Sequence, residues 1–540
     1  MSREQLFWVD ELAKRILSNL EKRGIKKSVY RVESGIGASG FPHIGSVGDS
    51  LRAYAVKLGL ENLGVRSELI AYSDDRDGLR KVPHGIPEDF RKYLGMPVTD
   101  IPDPFGCHSS YGEHMSSMLV DALERLGIEF TFISGTEAYR SGLLSEEISI
   151  LLKNHRKVYD IVKEEVGTNK PEGWVFYWPV CENCGRIYTT RVTEVLPEEG
   201  KVLYVCDQEF MGIKGCGHSG EQSYERGPGK LSWKGEFAAR WRALDIVFEP
   251  HGKDIADSFR VNARICKEVL GRNPPFTITY EMFLDSSGTK ISKSKGNVIT
   301  PQDWLKYAPP ETIRMLMLKR YSGTRNISLD MIPLYVTELE KNLTLYWNLN
   351  RIKNPRDREN LRRLMEYTYL LREVPRPHPF SFNTMISLME TLPINKLDEE
   401  SLREMAADLI SRYYDLDKED LLSDEVFKSY FEYALNFIRD ISGLIETQPP
   451  ELDNRVLEAV REFLFRLEDD LPAEEIQELA FNTARSFNVP ASKFFSAVYF
   501  FLSGNTRGPK LGPLIKRIGI SRAREIILSN INKLERCSHG

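Results

Sequence analysis

Four cysteines fall within a 36-residue window as Cys181-x2-Cys184 and Cys206-x9-Cys216. Two thiol knuckles about twenty residues apart, flanked by β-rich stretches (RIYTTRV, KVLYV), have the spacing of a zinc ribbon. Cys216 is the expected fourth ligand because four-thiolate sites are common, although the sequence Cys-Gly-His also leaves His218 open. A closed site of this kind is structural. A second group, Asp103-x3-Cys107-His108-x5-His114, packs four competent ligand types into twelve residues. Its spacing is no general metal motif, and Asp103 and His114 read equally as loop and helix-start residues. Two further segments suit a polyphosphate. Glu33–Ser50 (ESGIGASGFPHIGSVGDS) carries glycines at 35, 37, 40, 45 and 48, which allow sharp turns and close backbone approach, and leads into a helix N-terminus. Gly288–Asn297 (GTKISKSKGN) sets Lys290, Lys293 and Lys295 in a small Ser/Gly loop. Each segment alone also reads as a plain turn or a solvated basic loop.

These residues need a scaffold, and the first ~135 residues supply alternating elements. Gln5–Lys22, Gly48–Leu63 and Tyr111–Leu126 have helical spacing, while Ser28–Glu33, Ser67–Tyr72 and Glu129–Ser134 are β-branched runs. Such alternation predicts a doubly wound, Rossmann-like parallel sheet with its site at the carboxyl ends of strands. Ile246–Glu249 and Phe276–Tyr280 resume the strand pattern after the cysteine-rich stretch, so an α/β domain carrying a zinc-containing insertion is expected, followed by an all-α C-terminal domain. The expected division is 1–136 and 236–308 for the two halves of the sheet domain, 137–235 for the insertion, 309–380 for a helical junction and 381–540 for the helical end. A length of 540 residues suits several domains.

Net charge is −5, from 73 basic against 78 acidic residues, so any nucleic acid must be held by local patches. Residues 396–446 hold 14 acidic and 6 basic side chains, whereas 507–536 hold 8 basic and 2 acidic. Aromatics on the late helices (Phe463, Phe465, Phe487, Phe494, Phe495, Tyr499) are expected in the core. No apolar run approaches the ~18 residues of a membrane span. Cysteines grouped at metal spacing, with no apolar signal core at the N-terminus, point to the cytosol.

The two polyphosphate segments together resemble the HIGH and KMSKS signatures of class I aminoacyl-tRNA synthetases: His43-Ile44-Gly45-Ser46 and, 247 residues on, Lys290-Ile291-Ser292-Lys293-Ser294. Ser46 stands where that class usually has His or Asn, and Ile291 where it has Met. Within the class the wording is closest to the class I lysyl-tRNA synthetases. The matching segments are ESGIGASGFPHIGS, DDRDGLRKVP, YLGMPVTDIPDPFGCHSSYGEH, FEPHGKD and TYEMFLDSSGTKISKSKGNVI. Ile255 follows Gly252-Lys253-Asp254 where the family commonly carries His.

The resemblance implies a cytoplasmic ligase that activates L-lysine with ATP and Mg²⁺ and transfers it to the 3′ end of tRNA(Lys); a monomer is expected, although the sequence does not fix the oligomeric state. Its catalytic residues would be His43, Gly45, Lys290 and Lys293. ATP would also meet Gly40, Ser46, Gly252, Asp254, Ser292 and Ser294. The family's zinc site implies that Asp103, Cys107, His108 and His114 hold a second Zn²⁺. A lysine pocket needs a carboxylate for the ammonium and an apolar wall for the methylene stem. Glu33, Gly35 and Asp74 at predicted strand ends, with Trp233 and Tyr280 as walls, are the candidates, although Asp74, Asp75 and Asp77 also suit a helix cap. The alternatives are a glutamyl-tRNA synthetase, whose amino-acid pocket should be basic, and a non-catalytic zinc-ribbon RNA-binding protein.

Overall fold

The structure is a computed structural model that describes residues 7–281, 283–284, 299–321, 323, 325–442, 452–503, 506, 508 and 510–538. The loop carrying Lys290, Ser292, Lys293 and Ser294 lies outside them. The chain forms two compact units, the first made of residues 1–303, 313–328 and 348–374, the second of 304–312, 329–347 and 375–540.

The first unit is built on four parallel strands: Tyr30–Ile36 (β1), Ser67–Ser73 (β2), Thr131–Ser134 (β3) and Ile246–Phe248 (β4). Their order across the sheet is β4-β1-β2-β3, with Val32 opposite Leu69, Ile70 opposite Thr131 and Arg31 opposite Ile246. The predicted strand Phe276–Tyr280 reduces to a parallel bridge from Phe276 to Phe248 and a two-residue strand, Thr279–Tyr280, beside His251–Gly252. Helices Trp8–Lys22 (α1), Ser46–Asn62 (α2), Tyr111–Arg125 (α3), Glu236–Ala243 (α4) and Ala256–Glu268 (α5) accompany the strands.

Alternation along β2 sends Ile70 and Tyr72 into a core with Phe237 and Trp241 of α4 and Ile265 of α5. Helix α2 packs on β1 and on α1, where Gly59 leaves room for Val9 and Ala13: a Cβ there would sit 3.2 Å from each. The expected architecture of a parallel sheet with helices is therefore present.

Between β3 and β4 the chain forms helices Ser145–Lys153 and His155–Val166, then a three-stranded antiparallel sheet. Lys201–Val205 is central in that sheet, with Arg191–Leu196 and Ser219–Ser223 at its edges. This sheet is fastened to the loop that follows β2. The Ile187 N–H donates to Gly95 O (2.7 Å), the Gly78 N–H donates to the Tyr188 hydroxyl (3.2 Å), and buried Arg76 holds Pro228 O at 2.6 Å and Asp100 at 3.1 Å.

The second unit is helical among its described residues. Part of its acidic excess is helix capping: Asp398, Asp417, Asp424 and Asp453 each accept a backbone N–H at a helix start. Phe463, Phe494 and Tyr499 are core residues, as expected, whereas Phe465 is 85% exposed. Several of the late basic residues are engaged locally. Lys516 donates to Asp469 O, Arg524 to Leu464 O, and Arg522 pairs with Glu525. Among the described residues no helix is long and apolar enough to cross a membrane.

Candidate active site

Strand order reverses between β1 and β4, and a parallel sheet opens a crevice at the carboxyl ends of the strands on either side of such a switch. A cavity of about 340 Å³ lies there. Gly35, Gly37, Ser39 and His43–Ser46 line it from the β1 side, together with Asp49 of α2. Gly252, Asp254 and Ile255 line it from the β4 side, and Trp233, Tyr280, Glu281 and Phe283 complete the wall.

The turn from β1 into α2 is closed by Ser46. Its N–H donates to His43 O (2.7 Å), and its hydroxyl accepts the His43 N–H (3.3 Å). Position 45 must be small, because a Cβ there would sit 2.9 Å from the His43 ring. Both flanks of the lysine-rich loop reach this turn. Upstream, Phe283 lines the cavity; downstream, the Ile44 N–H donates to Ile299 O at 2.8 Å. Residues 240 positions apart in the chain thus share one small space.

Of the residues expected from sequence to bind ATP or lysine, Gly35, His43, Gly45, Ser46, Trp233, Gly252, Asp254 and Tyr280 line the cavity. Gly40 lies in the same loop, outside the lining. Glu33 and Asp74 do not line it either. Both are turned onto fully buried Arg240, whose Nε is 2.7 Å from Glu33 Oε1 and whose Nη1 is 2.9 Å from Asp74 Oδ1. Glu249 is the third carboxylate on this guanidinium, at 3.3 Å.

Beside it, buried Lys230 pairs with Asp77 and with Glu236, the latter at 2.7 Å. Five buried carboxylates thus surround two cations. Burial holds Glu33 well above the usual carboxylate range and lifts Asp74 to about 7, although Arg240 pulls both down. The network lies next to Gly35, where an added Cβ would come within 4 Å of Arg240 and Glu249.

The carboxylate in the lining that sequence reasoning passed over is Asp49. Its Oδ1 is shut off from water and meets no hydrogen-bond partner among the described residues. Burial raises its carboxyl to about 7 against the downward pull of the Tyr280 hydroxyl and Arg52. A signal was present: α2 is buried on nearly every side from Val47 to Leu60, so charged residues inside it are out of place unless they serve a site. Trp233, the apolar wall, lies under the Arg80 guanidinium at 5.2 Å.

Two further groups gather as metal ligands do. The Sγ atoms of Cys181 and Cys216 are 3.6 Å apart and those of Cys184 and Cys206 3.8 Å, close to the roughly 3.8 Å edge of a zinc tetrahedron with 2.3 Å bonds. All four thiols lie within 4.8 Å of one another. His218 is outside the group; its Nε2 is 3.9 Å from Glu182. In the second group Cys107 Sγ, His108 Nδ1 and His114 Nδ1 are mutually 3.2 Å apart, and Asp103 Oδ1 is 3.4 Å from His114. Asp103 is held in place by the Cys107 and His108 N–H groups (2.9 Å each), and Ser117 Oγ meets His108 Nε2 at 2.9 Å. Both donor sets fit Zn²⁺ in chemistry and spacing.

The switch-point cavity thus lies over a glycine-rich turn and beside both flanks of the lysine-rich segment. Residues 6–370 match the family described as tRNA synthetases class I (K), and the chain belongs to that family. Its curated relatives include the lysine–tRNA ligase of Cenarchaeum symbiosum, 39% identical over 526 residues that cover 96% of this chain and 98% of the relative. The lysine–tRNA ligase of Rickettsia bellii (strain RML369-C) is 31% identical over 527 residues, covering 96% and 97%. A solved glutamate tRNA ligase from Elizabethkingia meningosepticum CCUG26117 aligns over 93% of this chain and 99% of its own, at 13% identity and a TM-score of 0.38, a likeness too slight to bear on fold or function.

Proposed function

We propose that this chain activates L-lysine with ATP and charges tRNA(Lys) with it. Its near-full-length likeness to lysine–tRNA ligases supports the reaction, and one observation carries the substrate: the lining holds a half-buried carboxylate, Asp49, on the wall it shares with Tyr280.

In this reading Asp49 and the Tyr280 hydroxyl take the substrate's side-chain ammonium, while Trp233 covers the methylene stem. A glutamate-charging site would need a basic pocket and the curated relatives are lysine–tRNA ligases, which sets that alternative aside, and membership of a synthetase family sets aside a non-catalytic ribbon protein.

The substrate carboxylate is ionised at neutral pH and attacks the α-phosphate without a general base, so the protein's task is placement and charge neutralisation. His43 and the backbone of the Gly45 turn hold the phosphates, with Mg²⁺ accompanying ATP as part of the substrate. Lys290 and Lys293 would supply positive charge to those phosphates. Cys181, Cys184, Cys206 and Cys216 would hold a structural Zn²⁺ that stiffens the insertion, and Asp103, Cys107, His108 and His114 a second one. The division into split sheet domain (1–136, 236–308), insertion (137–235), junction (309–380) and tRNA-reading helical end (381–540) belongs to the same proposal.

The test is aminoacylation of total tRNA with each amino acid in turn. Lysine alone should be esterified. Charging with glutamate, or none at all, overturns the proposal.

A further inference from the structure

Asp49 and Tyr280 share their site with a cation that the reaction does not call for. Arg52, one turn further along α2, is 2% exposed, and its guanidinium lies over the Tyr280 ring at 4.3 Å. Its Nε and Nη1 are sealed from water and meet no hydrogen-bond acceptor among the described residues. Burying an arginine without saturating its donors is costly, and burial accordingly lowers its proton affinity. The fold also makes room for it. Gly48 sits in the first turn of α2, where glycine costs a helix about 1 kcal/mol relative to alanine, and a Cβ at that position would come within 2.7 Å of Arg52 Nη1. Glycine, burial and ring stacking together hold one guanidinium behind the substrate wall.

We propose that Arg52 is a positioning residue for amino-acid recognition: stacked behind Tyr280 and one helical turn from Asp49, it holds the ring in place and supplies a positive counter-charge to the carboxylate that receives the substrate's ammonium. The inference rests on the reading of Asp49 given above. Among the described residues, the groups that act most strongly on Asp49 are Tyr280, Arg52, Glu249 and Asp254. Arg52 is the cation of these four, and the two acids push the Asp49 carboxyl upward. Without Arg52 the carboxyl, already raised to about 7 by burial, would rise further and be neutral at physiological pH. A neutral acid cannot balance an ammonium. Arg52 is absent from the lining and acts through Tyr280, which the reading above assigns to the amino acid.

The experiment is lysine-dependent ATP–pyrophosphate exchange on the full chain, with KM for lysine and for ATP measured from pH 6.5 to 8.5. Arg52→Gln should raise the lysine KM on the order of tenfold at pH 7, leave the ATP KM within about twofold, and lose most of its deficit by pH 8.5, where Asp49 ionises unaided. Arg52→Lys keeps the charge and should recover most of the lysine affinity. A role in packing alone would raise the lysine KM equally at every pH, and that result overturns the proposal. So does a lysine KM that falls in Arg52→Gln, which would mean that the guanidinium repels the substrate. If Arg52→Gln does not fold, Gly48→Ala displaces the guanidinium without deleting its charge, and should show the same pH-dependent deficit at smaller size; an unchanged lysine KM there also overturns it. Asp49→Asn is run in parallel. If that variant keeps its lysine KM, the reading of Asp49 fails; if it loses lysine while Arg52→Gln does not, only the present proposal fails.

Discussion

Asp49→Asn isolates the charge that the cavity offers to its substrate. The substitution preserves size and one carbonyl oxygen, so the Tyr280 hydroxyl keeps an acceptor while the ammonium loses its counter-charge. Lifting the carboxyl from its ordinary 3.8 to about 7 means that the empty site withholds roughly 4 kcal/mol from the charged form. A bound ammonium returns part of that, and truncating one partner of a buried charge pair costs about 2–5 kcal/mol. At about 1.4 kcal/mol per factor of ten, kcat/KM for lysine should fall on the order of a hundredfold, mainly through KM, with the ATP KM unchanged. The wild-type profile follows the same group. Above about pH 7 Asp49 is ionised and lysine binds best; below it the carboxyl is protonated, and the lysine KM should rise by about tenfold per pH unit as the charged fraction falls. Pyrophosphate exchange at varied lysine and pH reads both effects. A variant with wild-type lysine KM, or a wild-type KM flat between pH 5.5 and 7.5, would refute the assignment.

Other perturbations reach the remaining parts. Lys293→Ala should abolish exchange while isothermal titration still shows lysine binding; retained exchange would remove the loop from the mechanism. Replacing Cys216 by Ser should lower bound zinc by about one ion per chain, whereas His218→Ala should leave it intact, and cobalt substitution should give a four-thiolate spectrum; metal analysis showing the reverse would make His218 the ligand. Arg240→Met leaves Glu33, Asp74 and Glu249 facing one another and should cost about 3–5 kcal/mol in urea unfolding at pH 8. That deficit should shrink as pH falls toward about 7, the value Asp74 has with Arg240 pulling it down, because without that pull the carboxyl takes up its proton at higher pH and no longer repels its neighbours. An equal loss at pH 5 and pH 8 would refute a charge origin.

Much of this was legible in the residues. The alternation from Ser28 to Ser134 placed β1 to β3 and their helices to within a few positions, because apolar period reports burial directly. The four thiols were legible because metal ligation fixes their spacing in the chain. Glu33 and Asp74 were misleading for a physical reason: a carboxylate at a strand end can face a ligand or a buried cation, and Arg240 is 166 residues from Asp74 along the chain. Nothing local to Glu33 announces it. Asp49 was overlooked because one acid in the first turn of a helix reads as a dipole partner; only burial of α2 on all sides shows that it belongs to a site. The second metal group was ambiguous for a similar reason, since Asp103 reads as a loop residue until its oxygen is seen accepting the Cys107 and His108 amides.

The pairing of Arg31 with Ile246 has a consequence for how the protein is made. The neighbour that β1 needs on its β4 side is synthesised only after the whole insertion, and at about 5–20 residues per second the ribosome takes roughly 10–40 s to reach it. During that interval β1 and β2 can pair, but one flank of β1 stays an open edge, exposed to any strand that passes. The insertion, with its own small sheet and cluster of thiols, can close meanwhile as a separate local unit. The crevice between β1 and β4 is therefore the last part of the sheet to be formed, and the catalytic cavity cannot exist before the nascent chain has passed Tyr280.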